Sequence, residues 1–457
     1  MMKKILLILL IFFGLGLFSQ SKLEKYWYYR KRLTDYFVKV GPNIGESVVA
    51  ERLNDLELYK YKIGDGTIDL GWYISVLATE YALLKQNNQN TNETLQELYY
   101  AMRAYERLDL CEDKPPWNKS TAELDGFFNR KDEEMFEFPD VYFSLEGRNK
   151  GLTSNDLWGY KPPGHPTWID ELDNYDFDPN SKDIAMSQDQ AIALLMGFAL
   201  VKRSFYDENV GFYDLDGNYT NINFNSWARY LADLIVKYIR KDLWLIKDPN
   251  GDNVEAGHNA FANSYGFAEA GQYITGHFYH NLVTLEPAAW FAWSSQKIPN
   301  PVNDYNTTMA MTLAAIGDSW FFPLGTANSL FDAGSIWRRH HVFVLLYSYL
   351  HSIAVGWPSY NKNKIKEMLE TAPCGGPYFW SNSNENFSCC GYVQGNPGGG
   401  WASTNRFRQI KDVQDNGQGK ANFNGLDYML LYNLYHLKEN PVPYVDLRKR
   451  YFSESLP

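Results

Sequence analysis

The segment SQDQAIALLMGFALVKR, Ser187 to Arg203, constrains the fold more than any other. Its apolar residues run without a break from Ala191 to Val201, so a helix formed here has no polar face. A helix at a protein surface carries an apolar stripe roughly 100° wide, and one that is apolar all round has to be enclosed by other elements. TIDLGWYISVLATEY has the same character: Leu70 to Lys85 is broken only by Ser75, Thr79 and Glu80. Each segment opens on a carboxylate, Asp189 in one and Asp69 in the other. The chain must therefore surround more than one apolar helix and accommodate an acidic group where each begins.

The helix after each buried segment is different in kind. From Thr91 to Asp109, Leu95, Leu98, Tyr99, Met102, Tyr105 and Leu108 recur at helical spacing, while Glu93, Glu97, Arg103, Glu106 and Arg107 take the other face. The connection NNQNTN suits a turn, so the two helices should form an antiparallel hairpin. The pattern repeats after Lys202: Phe224 to Leu243 should bury Trp227, Leu231, Leu234, Ile235 and Tyr238 and expose Arg229, Asp233, Lys237 and Arg240. Between these helices, GFYDLDGNYTNINF reads as a β-hairpin around Asp216 and Gly217. Further helices are expected over Leu282–Ser294, Tyr305–Ser319, Ile336–Val355, Lys362–Thr371 and Gly425–Lys438.

A buried helix and then an amphipathic one, repeated, resembles the (α/α) toroid of the six-hairpin glycosidases and related polysaccharide lyases. It is similar, too, to exported proteins of Bacteroidota-type bacteria, which the Phe18-Ser19-Gln20 end of the N-terminal segment fits. The resemblance is one of pattern over most of the chain, with no diagnostic catalytic motif. It implies an all-α fold: an inner ring of helices inside an outer ring, with long aromatic-rich loops and minor β-hairpins. The expected organisation is a signal peptide at 1–20 and a single toroid domain at 21–457, with a long loop insertion at 111–183. A less regular helical solenoid is the alternative.

The compartment is read from the first residues. Met1-Met2-Lys3-Lys4 is basic, Ile5 to Phe18 is apolar, and Ser19-Gln20-Ser21 is small and polar, the three parts of a secretory signal. No later stretch is apolar and long enough to span a bilayer, so the mature chain is expected to be exported, periplasmic or extracellular, with no membrane span. A net charge of −11 argues against nucleic acid, whose phosphates need a basic surface. Export permits disulfides, and Cys374, Cys389 and Cys390 cluster while Cys111 stands apart. No His lies at ligand spacing from them, which makes zinc the weaker reading.

Aromatic residues make up 16% of the chain, many of them in Gly/Pro-rich stretches rather than in helices. Trp117, Trp158, His165 and Trp168 lie in the long connection, and Trp380 and Trp401 in the stretch from Gly375 to Arg408. A large core accounts for some of this content, and sugar-stacking loop walls would account for the rest. His258, in EAGHNAF, occupies a similar turn-like context, where it either binds sugar or satisfies loop backbone.

Carboxylates recur at helix starts: Asp69 in TID, Asp189 in SQD and Asp427 in NGLD. Helix capping explains acidic residues there, because the first turn has unpaired N–H groups and a positive dipole end. Ser187 and Gln190 fit a capping box, which leaves Asp189 least explained by capping. Asp69 suits an N-cap, and Asn424 suits one for the helix holding Asp427. Glycoside hydrolysis needs one carboxyl to protonate the leaving oxygen and another to attack or to activate water. Asp189 and Asp69 are the first candidate pair. Asp125, in LDGFFNRKD, is the loop candidate, with Arg130 as a substrate binder. Glu80 lies too far along its helix to join them and suits a buried ion pair. DLDGN and DPNGDN lack the late Glu of an EF-hand and read as turns, so no metal or cofactor is implied.

These residues point to a secreted carbohydrate-active enzyme acting on an oligosaccharide or polysaccharide, a glycoside hydrolase with paired carboxylates at inner-helix N-termini. The alternatives are a non-catalytic glycan-binding or surface-associated protein on the same scaffold, or a polysaccharide lyase.

Overall fold

The computed structural model describes residues 22–31, 33–34, 37–50, 52–54, 60–62, 66–132, 167–168, 182–254, 258–280, 304–317, 338–354, 362–371, 388–389, 392–393, 424–438 and 444–448. It is mostly helical. Residues 22–31 form α1. The two apolar segments form α2, Gly66–Gln86, and α4, Gln188–Ser204, both buried over nearly their whole length. The amphipathic segments form α3, Asn92–Asp109, and α5, Phe224–Lys241. Then come α6, Ser264–Thr275, α7, Asp304–Ile316, α8, Arg338–His351, α9, Lys362–Thr371, and α10, Leu426–Lys438. Buried side chains from Leu23 to Tyr444 make one hydrophobic cluster.

The buried helices run side by side in one direction. Gly71 of α2 lies against the backbone of Ala193 and Leu194, and Gly197, one turn on in α4, lies against Gly71 and Ile74. A Cβ at either glycine would collide, so the missing side chains set how closely the axes approach. Between α10 and α2, Asn424 Nδ2 donates to Asp69 Oδ1 at 2.8 Å near the starts, and Asn433 Nδ2 donates to Thr79 Oγ1 at 3.1 Å further along. Between α4 and α6, Asn263 Nδ2 donates to Gln188 Oε1 at 2.9 Å near the starts, and Lys202 Nζ to the Tyr273 carbonyl near the ends. The far ends converge. Arg203 Nε donates to Tyr349 O at 2.9 Å, Tyr273 OH to Leu350 O at 3.1 Å, and His351 Nε2 to Ala315 O at 3.0 Å. Packing runs in the order α2, α4, α6, α7, α8, α10, and α10 packs on α2 again.

The amphipathic helices return outside this set. Asn225, at the start of α5, bonds through Nδ2 to the carbonyls of Lys202 and Phe205 at the end of α4. One residue departs from the expected polar face: Glu97 of α3 is buried. The reason is α1, whose Arg30 reaches it at 2.9 Å. Arg30 also pairs with Glu80 at 2.7 Å, which gives Glu80 the buried ion pair its sequence position suggested. Nor was α6 expected. Its small residues Gly266, Ala268, Ala270 and Gly271 conceal the periodicity of larger apolar side chains, although its buried face is real.

The expected hairpin forms Val210–Tyr213 and Tyr219–Ile222, antiparallel, with Tyr213 opposite Tyr219. In a small sheet Lys60–Lys62 pairs with Arg52–Asn54 on one side, antiparallel, and with Thr167–Trp168 on the other, parallel, and Ser388–Cys389 pairs with Tyr392–Val393. No helix among the described residues is long and apolar enough to cross a membrane. Cys111 is buried. The signal segment 1–20, the expected helix Leu282–Ser294, Cys374 and Cys390 lie outside the described residues.

Candidate functional site

Parallel packing brings the helix-start carboxylates to one end of the bundle. Asp69 falls within the first turn of α2, three residues after its start, and is fully buried. It is therefore not the N-cap; the Asn424 amide holds it. The same Asn424 accepts the Leu426 N–H at 3.1 Å, capping α10, so one side chain fastens two helix starts together. Asp427 is buried, and its Oδ1 accepts the Tyr428 N–H at 2.8 Å. In α4, Ser187 and Gln190 form the expected capping box, with the Ser187 N–H donating to Gln190 Oε1 at 2.9 Å. The Ser187 hydroxyl donates to Asp189 Oδ1, which draws Asp189 into the cap as well. Asp189 is the one of these three carboxylates that is partly exposed.

The remaining acidic candidate, Asp125, belongs to another place. It lines a cleft of about 450 Å³ at the C-terminal ends of α3 and α5, together with Glu112, Tyr238, Lys241 and Asp248. The local fold depends on Asp109, the last residue of α3. Its carboxyl accepts the Tyr105 hydroxyl at 2.7 Å, the Asp125 N–H at 2.9 Å and the Gly126 N–H at 3.1 Å. Gly126 has a φ of +97° and packs against the backbone of Leu234 and Ile235, where no Cβ fits. The carboxyl of Asp125 accepts the Phe127 N–H at 2.9 Å and lies 3.9 Å from Lys241 Nζ. That ammonium sits over the Tyr238 ring, 3.4 Å from its centroid.

Burial dominates the titration of this region. Desolvation raises Asp109 to about 8 against the three hydrogen bonds that favour its charge. It raises Glu112 to about 7, helped by the negative charge of Asp125 and Glu123. Asp125 moves up for the same reason, opposed by the Phe127 N–H and Lys241. Near neutral pH the carboxyl of Glu112 is thus partly protonated. Asp109, Glu112 and Tyr238 carry no recognisable motif, and only the spatial approach of two helix ends identifies them.

The other candidates are dispersed. Trp117 is buried, edge-on to Phe127, with its indole N–H donating to Asn129 Oδ1 at 3.0 Å, so it belongs to the core rather than to a cleft wall. Arg130 Nε donates to the Ala185 carbonyl at 2.7 Å and braces the approach to α4. The His258 carbonyl accepts the Ile246 N–H at 2.8 Å. Trp168 lies in the short strand Thr167–Trp168. Trp158, His165, Trp380 and Trp401 fall outside the described residues. The two Asp-rich turns use their own carboxylates. Asp214 Oδ1 accepts the N–H groups of Asp216 and Asn218, and Asp248 Oδ1 those of Asn250 and Asp252. Among the described residues no cluster of His, Cys, Asp and Glu could hold a metal ion.

No protein-family model matches this chain, and no curated protein or solved structure matches it significantly.

Proposed function

We propose that this chain is an exported carbohydrate-active enzyme, a glycoside hydrolase on an (α/α) toroid, acting at the N-terminal end of its inner helices. The observation that carries the proposal is the parallel packing of α10, α2 and α4, which gathers Asp427, Asp69 and Asp189 at one end. The cyclic order of helix packing, with α3 and α5 returning outside it, supports the toroid. Asp189 is the group for acid/base work, because it is partly open while its helix is held on all sides. Asp69, buried and oriented by Asn424, lies at the start of the neighbouring helix. A partner about 5 Å from Asp189 in the substrate complex would give retention, and one at roughly 6.5–9.5 Å inversion.

The test is release of reducing ends from a panel of polysaccharides by the exported chain. Asp189→Asn keeps the side-chain shape and one acceptor for Ser187 but removes the ionisable group. Turnover should fall by about 10³-fold or more while circular dichroism and glycan binding persist. Full activity in that variant would end the proposal. Non-catalytic glycan binding is the second reading, favoured by the hydrogen bonds that occupy all three carboxylates. Binding without turnover by the wild-type chain on any glycan it retains would decide for it.

A further inference from the structure

The cleft at the ends of α3 and α5 is built from residues that glycan chemistry at the helix starts does not use. Its wall contains a carboxyl group in an unusual position. Glu112 is only 6% exposed. Its Oε2 accepts the Glu123 N–H at 3.1 Å, whereas Oε1 has no hydrogen-bond partner. A buried carboxylate oxygen without a donor retains the full cost of its lost hydration. Beside it, Asp125 is 3.9 Å from its nearest cation, beyond hydrogen-bond range. The other buried carboxylate of the wall, Asp248, already has its counter-charge in Lys182 at 2.8 Å. Among the described residues Glu112 therefore has no ion pair, and Asp125 has only this long one to Lys241.

The chemistry of the gap selects the donor. A metal ion would need a ligand set, and none of the described clusters could supply one. A hydroxyl would satisfy Glu112 Oε1 but bring no counter-charge to the carboxyl group. An ammonium group brings several N–H donors and a positive charge, and charge-assisted bonds are roughly twice as strong as neutral ones. The lysine of this wall nearest to Asp125 is turned over the Tyr238 ring, so it does not fill the position itself. The volume of about 450 Å³ lies in the range of small-molecule sites.

We propose that this cleft is a second ligand site, in which Glu112 and Asp125 bind the ammonium group of a small polar amine. It is independent of the hydrolase reading, since Asp69, Asp189 and Asp427 take no part in it. The test is calorimetric titration of the full chain with glucosamine, ethanolamine and N-acetylglucosamine. The first two carry the ammonium group, and the third keeps the sugar ring without it. Glucosamine and ethanolamine should bind, and N-acetylglucosamine should bind about tenfold more weakly than glucosamine, or less. Glu112→Gln, a neutral isostere that still accepts the Glu123 N–H, should lower amine affinity by about tenfold or more, and Asp189→Asn should leave it unchanged. Should Glu112→Gln fail to fold by circular dichroism, Asp125→Asn replaces it with the same expectation. The proposal is overturned by equal binding of glucosamine and N-acetylglucosamine, by amine binding that survives the cleft substitutions, or by no amine binding at millimolar concentration.

Discussion

Asp109 concentrates the physics of the molecule in one side chain. It ends α3, is fully buried, and organises the loop at Asp125 and Gly126 through its carboxyl. Its folded pKa of about 8 stands above the unfolded carboxyl value of 3.8 because burial outweighs the hydrogen bonds. The folded state therefore holds a proton that the unfolded state has released. This contribution to stability is complete below about pH 4 and is lost as pH rises to about 8. Glu112 acts in the same direction up to about 7. Chemical denaturation should find the wild-type chain less stable at pH 9 than at pH 5, by on the order of 4–7 kcal/mol. Asp109→Asn cannot ionise and should show a shallower pH slope. Parallel slopes for the two proteins would mean that Asp109 does not hold its proton on folding.

At the scale of elements, the decisive contact is glycine against helix backbone. Gly71, in the second turn of α2, and Gly197, in the third turn of α4, let the two helices approach closely. A methyl group at Gly71 meets the Ala193 and Leu194 backbone rather than a flexible side chain, so the helices themselves have to move. Gly71→Ala gains some helix propensity, about 1 kcal/mol. Overpacking costs about 1–3 kcal/mol in ordinary cores and should reach or exceed the top of that range here. A net loss of about 2 kcal/mol in urea unfolding is expected. The hairpin glycine is a useful contrast: Gly217 has open space around it but a φ of +80°, so its demand is conformational rather than steric. A Gly71→Ala chain as stable as the wild type would show that α2 and α4 are not in backbone contact.

Across the whole molecule, a buried polar network joins the first and last described segments. Arg30 of α1 contacts Glu80 of α2 and Glu97 of α3, and Arg448 near the C-terminus reaches Glu80 at 3.5 Å and Thr94 at 2.7 Å. Tyr26 and Tyr73 add hydroxyl bonds to Glu80 and Glu97, each at 2.5 Å. Burial opposes the charge on Arg30, but the two glutamates outweigh it and hold the guanidinium well above its ordinary range. Arg30→Met leaves both glutamates facing apolar surroundings with their main counter-charge gone. Breaking such a pair costs about 3–5 kcal/mol, and unfolding measurements should give a loss of that size. Combining it with Glu80→Gln should recover part of the loss, because one uncompensated charge disappears with it. If the single variant is as stable as the wild type, water reaches the network and its burial is not maintained in solution.

Much of this architecture was legible because local chemistry dictates it. Helices without a polar face must be enclosed, as α2 and α4 are, and the NNQNTN turn and the Asp216-Gly217 hairpin arise from short-range backbone preferences. Glu80, a charge on an otherwise apolar helix, required a buried counter-charge, although its position could not identify Arg30 as the partner. Other features depended on long-range proximity. Glu97 lies on the face that periodicity assigns to water, and α1 covers it; α6 packs through small residues that leave little periodic signal. Trp117 resembled a loop aromatic, yet its neighbours Phe127 and Asn129 are supplied by the folding back of its own loop. The cleft of Glu112 and Asp125 arises where the ends of α3 and α5 meet, and the pKa of each group is set by that burial. Sequence determined which segments must be inside, because hydrophobicity and backbone preference are properties of neighbouring residues. Tertiary structure alone decided which carboxylates are capped, paired or left without a donor, because desolvation and hydrogen bonding depend on what the rest of the chain brings alongside.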